Sequence, residues 1–290
     1  MPFDVGTTPQ PLIDAVGRGN LVPLVGSGIS RQASSCYPTW DELLRDMANN
    51  AVLQGWMLKK EAGHISTLVK KHQHLMAAEA IRAKYPSDAY YGFLKDKFQT
   101  PDSGPARIQE ATFSLKPPII LTTNYDTLLE DAYASKFGRH APAWTPINSP
   151  DVANYLHTAR ASVASPIFKL HGTIANPPSI ILTEGDYRGL IYRQPGYCMV
   201  VESVLITKVV LMLGFSGNDP ELRLFLEGMR EALQHRGDPD YIFLPKNTLN
   251  STEKTRWRED FGVEAIEYEP TTGHPEVLEL IEHLATFAPT

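Results

Sequence analysis

The sequence predicts an α/β fold in which a doubly wound parallel sheet is interrupted by a long helical insertion. Short apolar runs rich in valine and isoleucine recur along the chain without polar alternation, as strands buried on both faces do. Between the first two runs, the apolar residues have instead the three- and four-residue spacing of amphipathic helices. The resulting order is one strand, a helical region and then the remaining strands.

Seven apolar runs are candidate strands. The first ends at Gly26-Ser27-Gly28, and glycines at such a point are typical of a buried strand that turns into a helix. The predicted strands are 21–25, 119–123, 167–170, 180–183, 209–214, 241–244 and 263–268.

The helical region begins with a recognisable cap. Thr39 followed by Asp41-Glu42 predicts a helix start, because a hydroxyl satisfies free amides and early acids favour the helix dipole. Helical texture runs from Thr39 to about Leu115, and we expect an insertion at about 50–116 within one domain spanning 1–290. Further helices are predicted at about 106–115, 127–133 and 275–287, and from near Pro220.

Composition and charge argue against several classes of protein. A net charge of −6 and a pI of about 5.9 give no broad positive field, so we expect no direct nucleic-acid partner. Neither an export signal nor a membrane-spanning run is evident, and we predict a cytoplasmic protein. The two cysteines, Cys36 and Cys198, are isolated, so a four-cysteine zinc module cannot be built and no metal is expected.

Four polar motifs follow predicted strands. The sequence GSGIS at 26–30 could bring the backbone close to a phosphate, although a simple tight turn explains its glycines equally well and Arg31 breaks the full dinucleotide fingerprint. The sequence TTNYD at 122–126 could bind a ligand, or its Asn124 or Asp126 could merely cap the next helix.

The other two motifs also have structural alternatives. In KLHG at 169–172, His171 is a possible general base, although a lone histidine is usually structural. The sequence GFSGNDP at 214–220 is a binding turn or a surface turn that caps a helix. Because the carboxyl ends of parallel strands meet at one edge, all four motifs are expected to converge on one polar rim.

Together with PTWDELL at 38–44, these motifs resemble, in this order, the sirtuin-like domains of bacterial immune effectors. The likeness covers roughly residues 15–245, and TTNYD and KLHG are its most specific parts. The resemblance implies a Rossmann-like domain that binds NAD, with the helical region as a small domain over the cleft. It implies that Asn124 and His171 are the catalytic pair and that Asp126 contacts the nicotinamide carboxamide.

The resemblance also assigns the remaining site residues. It places the phosphates near the first glycine loop and the adenosine near the later turn, with Asp219 and Thr123 as further contacts. The implied cofactor-binding residues are Gly26, Ser27, Gly28, Ser30, Thr123, Asp126, Gly214, Phe215, Ser216 and Asp219.

The implied activity is hydrolysis of NAD+ to nicotinamide and ADP-ribose, similar to that of defence NADases that deplete NAD+ during phage infection. Asn124 would orient water or the ribose hydroxyls, and His171 would accept a proton. The missing cysteine module disfavours the alternative of protein deacylation. A sensor or scaffold that binds NAD or ADP-ribose without turnover is the other alternative. The family suggests as partners a second copy of the chain, a HerA-type ATPase or an Argonaute-type protein.

Overall fold

A seven-stranded sheet forms the centre of the molecule. The computed structural model describes residues 4–101, 104–158, 165–215, 220–232 and 237–289. The strand order is β3-β4-β2-β1-β5-β6-β7, and all neighbouring strands are parallel. The strands are β1 Leu21–Val25, β2 Ile120–Thr122, β3 Ala143–Trp144, β4 Ile167–Lys169, β5 Val209–Leu213, β6 Asp240–Pro245 and β7 Val263–Tyr268.

Helices cover both faces of this sheet, which confirms the predicted Rossmann-like α/β class. The helices are α1 Gln10–Gly17, α2 Ser27–Ala33, α3 Trp40–Leu53, α4 Lys59–Lys70, α5 His74–Arg82, α6 Ser87–Phe98, α7 Arg107–Thr112, α8 Leu128–Phe137, α9 Ser149–Thr158, α10 Glu184–Arg193, α11 Pro195–Thr207, α12 Pro220–Ala232, α13 Ser251–Phe261 and α14 Pro275–Ala285.

One predicted strand is wrong. Residues 180–183 form no strand; Thr183 instead caps the amino terminus of α10, where its side chain accepts a hydrogen bond from the Asp186 amide. Ile180 and Leu182 are apolar because they pack into the core of the helical insertion. The edge strand β3 was missed, since two residues are too short to produce a recognisable apolar run.

Alternate residues of the central strands supply two separate apolar layers. Leu21 and Val25 of β1 pack with α1, α7, α8 and α14 on one face, while Val22 and Leu24 pack with α11 and α12 on the other. This two-sided burial explains why the strands read as continuous apolar runs. The sheet therefore fixes the positions of the loops at its carboxyl edge.

The helical insertion has an apolar core of its own. This core begins at Tyr37, earlier than the predicted position 50, and continues to Phe98. Helix α7 packs instead against α8 and α14, beside the sheet. Thr39 caps α3 as predicted: its hydroxyl accepts from the Glu42 amide, and the Glu42 carboxylate accepts from the Thr39 amide at 2.7 Å.

None of the described helices combines the length and apolar character that crossing a bilayer requires.

Candidate functional site

A cleft opens at the carboxyl edge of the sheet, where the strand order reverses. The chain moves from β1 towards β2, β4 and β3 on one side, and then returns to β5, β6 and β7 on the other. Open α/β sheets bind ligands at such a reversal. The cavity there has a volume of about 660 Å³, within the range of about 300–1,000 Å³ that is usual for ligand and cofactor sites.

Most of the predicted site residues line this cleft. Ser27, Gly28, Ser30, Thr123, Asn124, Asp126, His171, Gly214 and Phe215 do so. Gly26 contacts Asn124 and Gly214. Ser216 and Asp219 lie outside the described residues. The four motifs therefore converge as expected, to the extent that the structure describes them.

The glycines of the first loop are required by backbone packing. The Gly28 amide donates to the Gly214 carbonyl at 2.9 Å, and a β-carbon on Gly28 would lie 2.8 Å from the Gly214 α-carbon. Gly214 has φ +62, and a β-carbon there would lie 2.6 Å from the Ile29 nitrogen. The loops after β1 and β5 thus touch through their main chains, and the amides of Gly26, Gly28 and Ile29 already donate to protein carbonyls.

Asn124 is held by two hydrogen bonds that fix the orientation of its amide. Its Nδ2 donates to the Gly26 carbonyl at 2.9 Å and to the Ser30 hydroxyl at 2.8 Å. A carbonyl oxygen can only accept, so the atom facing Gly26 must be the nitrogen. Both amide hydrogens are then used. Within the described residues Oδ1 accepts no hydrogen bond, which leaves it as an acceptor for a ligand.

The Ser30 hydroxyl connects Asn124 to Asp126. It accepts from Asn124 and donates to Asp126 Oδ2 at 2.6 Å, while Asp126 Oδ1 accepts from the Leu128 amide at 3.1 Å. Asp126 therefore also binds the first amide of α8, as the structural alternative for this motif anticipated, although Thr127 is the N-cap residue. Because each carboxylate oxygen can accept more than one hydrogen bond, this contact leaves room for a donor from a ligand.

His171 lies at the level of Asn124 in the neighbouring strand. Thr122 of β2 is in register with Lys169 of β4, so Asn124 and His171 each lie two residues beyond a paired position. Gly172 makes the turn that follows; its φ is +82, and a β-carbon there would overlap the Ser179 carbonyl. The sheet therefore brings the predicted catalytic pair to one edge.

Tyr187 is a neighbour of His171 that the sequence did not reveal as a site residue. Its hydroxyl lies 3.3 Å from Nε2 and 3.5 Å from Nδ1 of the imidazole, and both side chains are buried. In the structure Tyr187 and Tyr197 are buried, and Tyr192 is exposed.

The insertion supplies one wall of the cleft, and the motif PTWDELL at 38–44 contributes Trp40 and Asp41 to it, whereas His72 and His74 were not predicted as site residues. His74 Nε2 lies 2.6 Å from Asp41 Oδ1, and the His74 ring stacks on Trp40 at a centroid distance of 4.8 Å. His72 lies beside His74 and also lines the cleft. Burial, reinforced by the Asp126 carboxylate, raises the pKa of the Tyr37 hydroxyl, which stays protonated and donates to the Gln99 carbonyl.

The opposite wall is aromatic. Phe243 of β6 stacks on Tyr268 of β7 at 4.5 Å between centroids, and the Tyr268 hydroxyl hydrogen-bonds to His274 Nδ1 at 3.1 Å. Burial raises the pKa of Tyr268 to about 12, so the phenol is neutral. As alternating strand residues, Phe243 and Tyr268 resembled core positions, and only the end of the strand marks them as cleft residues.

Metal-binding chemistry finds no support in the described part of the chain. No three His, Cys, Asp or Glu side chains come together there in an arrangement that could hold an ion. Cys36 and Cys198 are not joined in a disulfide.

Comparison with known proteins yields a family and several relatives. The SIR2-like domain model matches residues 118–266. The chain is 29% identical over 242 residues to NAD(+) hydrolase ThsA of Enterococcus faecium, covering 80% of this chain and 45% of the relative. It is 24% identical to ThsA of Acinetobacter baumannii strain 532279, with coverages of 81% and 44%. Defense-associated sirtuin 2 of Bacillus subtilis is 25% identical, with coverages of 73% and 19%.

The chain spans less than half the length of each of these three relatives. The family match contains β2 with its Asn124 loop, β4 with His171, and the turn after β5. It covers more than half of the 290 residues, and the chain therefore belongs to the SIR2-like domain family.

Proposed function

We propose that this domain hydrolyses NAD+ at the bond between nicotinamide and ribose, releasing nicotinamide and ADP-ribose. One observation carries the proposal: the Asn124 amide is held so that Oδ1 is available as an acceptor in the cleft that also contains His171. The name NAD(+) hydrolase, which the ThsA relatives carry, supports the same reaction.

The chemistry requires positioning more than acid catalysis. Nicotinamide is attached to ribose as a cationic pyridinium, so the electron pair of the breaking C–N bond neutralises it and no proton is needed on the leaving group. The ribose passes through an oxocarbenium-like state, as in glycoside hydrolysis. Water then forms the new C–O bond, and one proton must be removed from it.

We assign these two tasks to the pair. Asn124 Oδ1 accepts a hydrogen bond from water or from a ribose hydroxyl, which holds the reacting atoms in line. The His171 imidazole accepts the proton from the water or from a ribose hydroxyl and later releases it to solvent. Tyr187, beside the imidazole, is placed to restrain its orientation.

The two walls of the cleft suggest how the rest of NAD+ binds. We infer that the adenosine lies towards Gly214, Phe215 and the aromatic wall, whose flat rings suit a purine. The phosphates then lie near Ser27 and Gly28, and the nicotinamide carboxamide near Asp126. Contacts of Thr123, Ser216 and Asp219 with the cofactor stay predictions.

Incubation of the purified chain with NAD+ tests the proposal. Chromatography that separates nicotinamide, ADP-ribose and cyclised products reports both cleavage and its product. We expect equal amounts of nicotinamide and ADP-ribose. Calorimetric binding of NAD+ without any nicotinamide release would instead establish the sensor alternative.

The biological setting is a further part of the proposal. The names of the relatives support a role in anti-phage defence by depletion of NAD+.

We also propose that the domain self-associates, because Met199 and Ile206 are exposed on one side of α11, close in sequence to exposed Tyr192. Light scattering should show a molar mass above the 32.2 kDa of one chain, and this mass should be lower for the Met199→Glu variant. The HerA-type or Argonaute-type partner and the cytoplasmic location stay predictions, which co-purification and fractionation test.

A further inference from the structure

A fully buried lysine joins the loop that carries Asn124 and Asp126 to the strand that leads to His171. Lys169, the last residue of β4, is 1% exposed. Its ammonium donates to the Asp126 main-chain carbonyl and to Glu130 Oε1 of α8, the latter at 2.9 Å. One side chain therefore connects β4, the loop after β2 and the first turn of α8.

This ion pair is poorly explained as a stabilising feature. Burying two charges costs several kcal/mol of desolvation, and apolar residues of similar volume usually stabilise a protein as well or better. The second oxygen of Glu130, Oε2, is also buried and accepts no hydrogen bond from any described residue. The pair therefore leaves one carboxylate oxygen without a donor from the described residues, which makes a purely stabilising role a poor account of it.

The position of Lys169 indicates a different role. It is in register with Thr122, and the next residue donates from its amide to the Thr122 carbonyl at 2.8 Å. The ammonium thus anchors the main chain of Asp126, while the Asp126 carboxylate holds Ser30, which in turn holds Asn124. Displacement of the Asp126 carbonyl would therefore move Asn124 relative to His171.

We propose that Lys169 is a positioning residue for NAD+ cleavage, acting by fixing the loop 123–127 at the height of His171. The expected effect of Lys169 on the rate of cleavage rests on the proposed function. Its expected effect on the position of the loop does not. The two effects therefore need separate measurements.

The decisive variant is the double substitution Lys169→Met with Glu130→Leu. It removes the buried ammonium together with its partner Glu130, whose side chain is 19% exposed, so no unpaired buried ion is left and the fold should keep its stability. Glu130→Gln is the matched variant, because it removes the partner charge but leaves the bond from Lys169 to Asp126. Lys84→Met, which breaks a surface pair with Glu61 in the insertion, controls for loss of a lysine.

Three readouts are compared with wild type: urea unfolding, hydrogen exchange of the segment 122–128, and nicotinamide release. In the double variant we expect unchanged unfolding, at least tenfold faster exchange, and a kcat about 10²-fold lower with KM within threefold. Glu130→Gln leaves the buried ammonium without its counter-charge and should lower the free energy of unfolding, but it should keep kcat within threefold because Lys169 still binds Asp126. Lys84→Met should keep both the exchange rate and kcat within threefold.

The proposal would be overturned if the double variant had the wild-type rate of hydrogen exchange at 122–128 and the wild-type kcat. It would also be overturned if this exchange became faster while kcat stayed unchanged. Failure of the double variant to fold would also overturn it, because the pair would then be a stability element. A wild-type chain that releases no nicotinamide would refute the proposed function alone, and the exchange of 122–128 would still decide whether Lys169 fixes the loop.

Discussion

The carboxyl ends of β1, β2 and β4 present hydrogen-bonded polar groups to the cleft, whereas the ends of β6 and β7 present stacked aromatic rings. On the polar side, Ser30 joins Asn124 to Asp126. On the aromatic side, Phe243 and Tyr268 line the cleft with a small part of their surface, since they are 2% and 5% exposed, and the Tyr268 hydroxyl pairs with His274. The difference suggests a division of labour, in which one side performs the reaction and the other supplies binding energy.

Substitution of Asn124 should have the largest effect on rate. Asn124→Ala removes the acceptor Oδ1, and we expect kcat to fall by about 10²–10⁴-fold, the usual range for a positioned catalytic group. In Asn124→Asp, kcat should fall by a similar factor, because a carboxylate oxygen would face the Gly26 carbonyl and repel it. Nicotinamide release measures both. Full activity in Asn124→Asp would refute the assigned amide orientation.

Loss of the Ser30 hydroxyl should have a smaller effect on the same side. Ser30→Ala leaves Asn124 with one restraint and Asp126 Oδ2 without its serine donor, so we expect kcat to fall by about 10²-fold or less. Ser34→Ala, at the end of the same helix, is the control and should retain wild-type kcat. If the two variants have equal rates, the Ser30 bridge has no part in catalysis.

Substitutions on the aromatic side of the cleft should change KM for NAD+ rather than kcat. Tyr268→Leu removes the stacked ring, and we expect KM for NAD+ to rise about tenfold with kcat within twofold, since base stacking contributes about 1–3 kcal/mol. Tyr268→Phe keeps the ring and should stay within about twofold in KM. Steady-state kinetics separate the two constants. A fall in kcat without a change in KM would contradict the division of labour.

The opposite edge of the sheet provides a test in which activity should not change. Burial raises the pKa of Asp240, at the start of β6, to about 7, against the lowering effect of the Val210 amide. The folded protein therefore holds a proton that the unfolded chain releases near pH 4. Stability should fall as the pH rises from about 4 to about 7, and stay level above it.

Asp240→Asn cannot ionise, so it should gain about 4 kcal/mol of stability relative to wild type between pH 4 and pH 8. Urea unfolding across this pH range measures the gain. The kcat should be unchanged, because Asp240 lies at the amino edge of the sheet, away from the cleft. Parallel pH profiles of stability in the two proteins would show that this carboxylate is not perturbed.

Much of the fold and the polar side of the site could be predicted from the sequence. Buried parallel strands leave continuous apolar runs, and glycines and polar residues directly after them mark the carboxyl edge. This logic located Asn124 and His171 correctly at one edge. It failed at 180–183, where the apolar residues serve the insertion core and the backbone amide of Ile181 donates to the His171 carbonyl.

The rest of the site depends on tertiary contacts. Tyr187 and His74 have ordinary local surroundings in the sequence, and Lys169, although it belongs to the KLHG motif, was not predicted as a site residue. Only the packing of β4, α10 and the insertion brings these side chains into contact with residues around the cleft. The glycines illustrate the same limit. Their pattern could mean contact with a phosphate or a simple tight turn. The structure shows that Gly28 and Gly214 must be small because their backbones touch, and contact with a phosphate stays a prediction.

The most direct test of the central claim combines binding and cleavage in His171→Ala. Calorimetry should give a dissociation constant for NAD+ within threefold of a cleavage-deficient reference, Asn124→Ala, because neither side chain belongs to the aromatic wall. Chromatography of the same samples should show nicotinamide release by wild type and a rate at least 10²-fold lower in His171→Ala. Wild-type release by His171→Ala with intact binding would contradict the account.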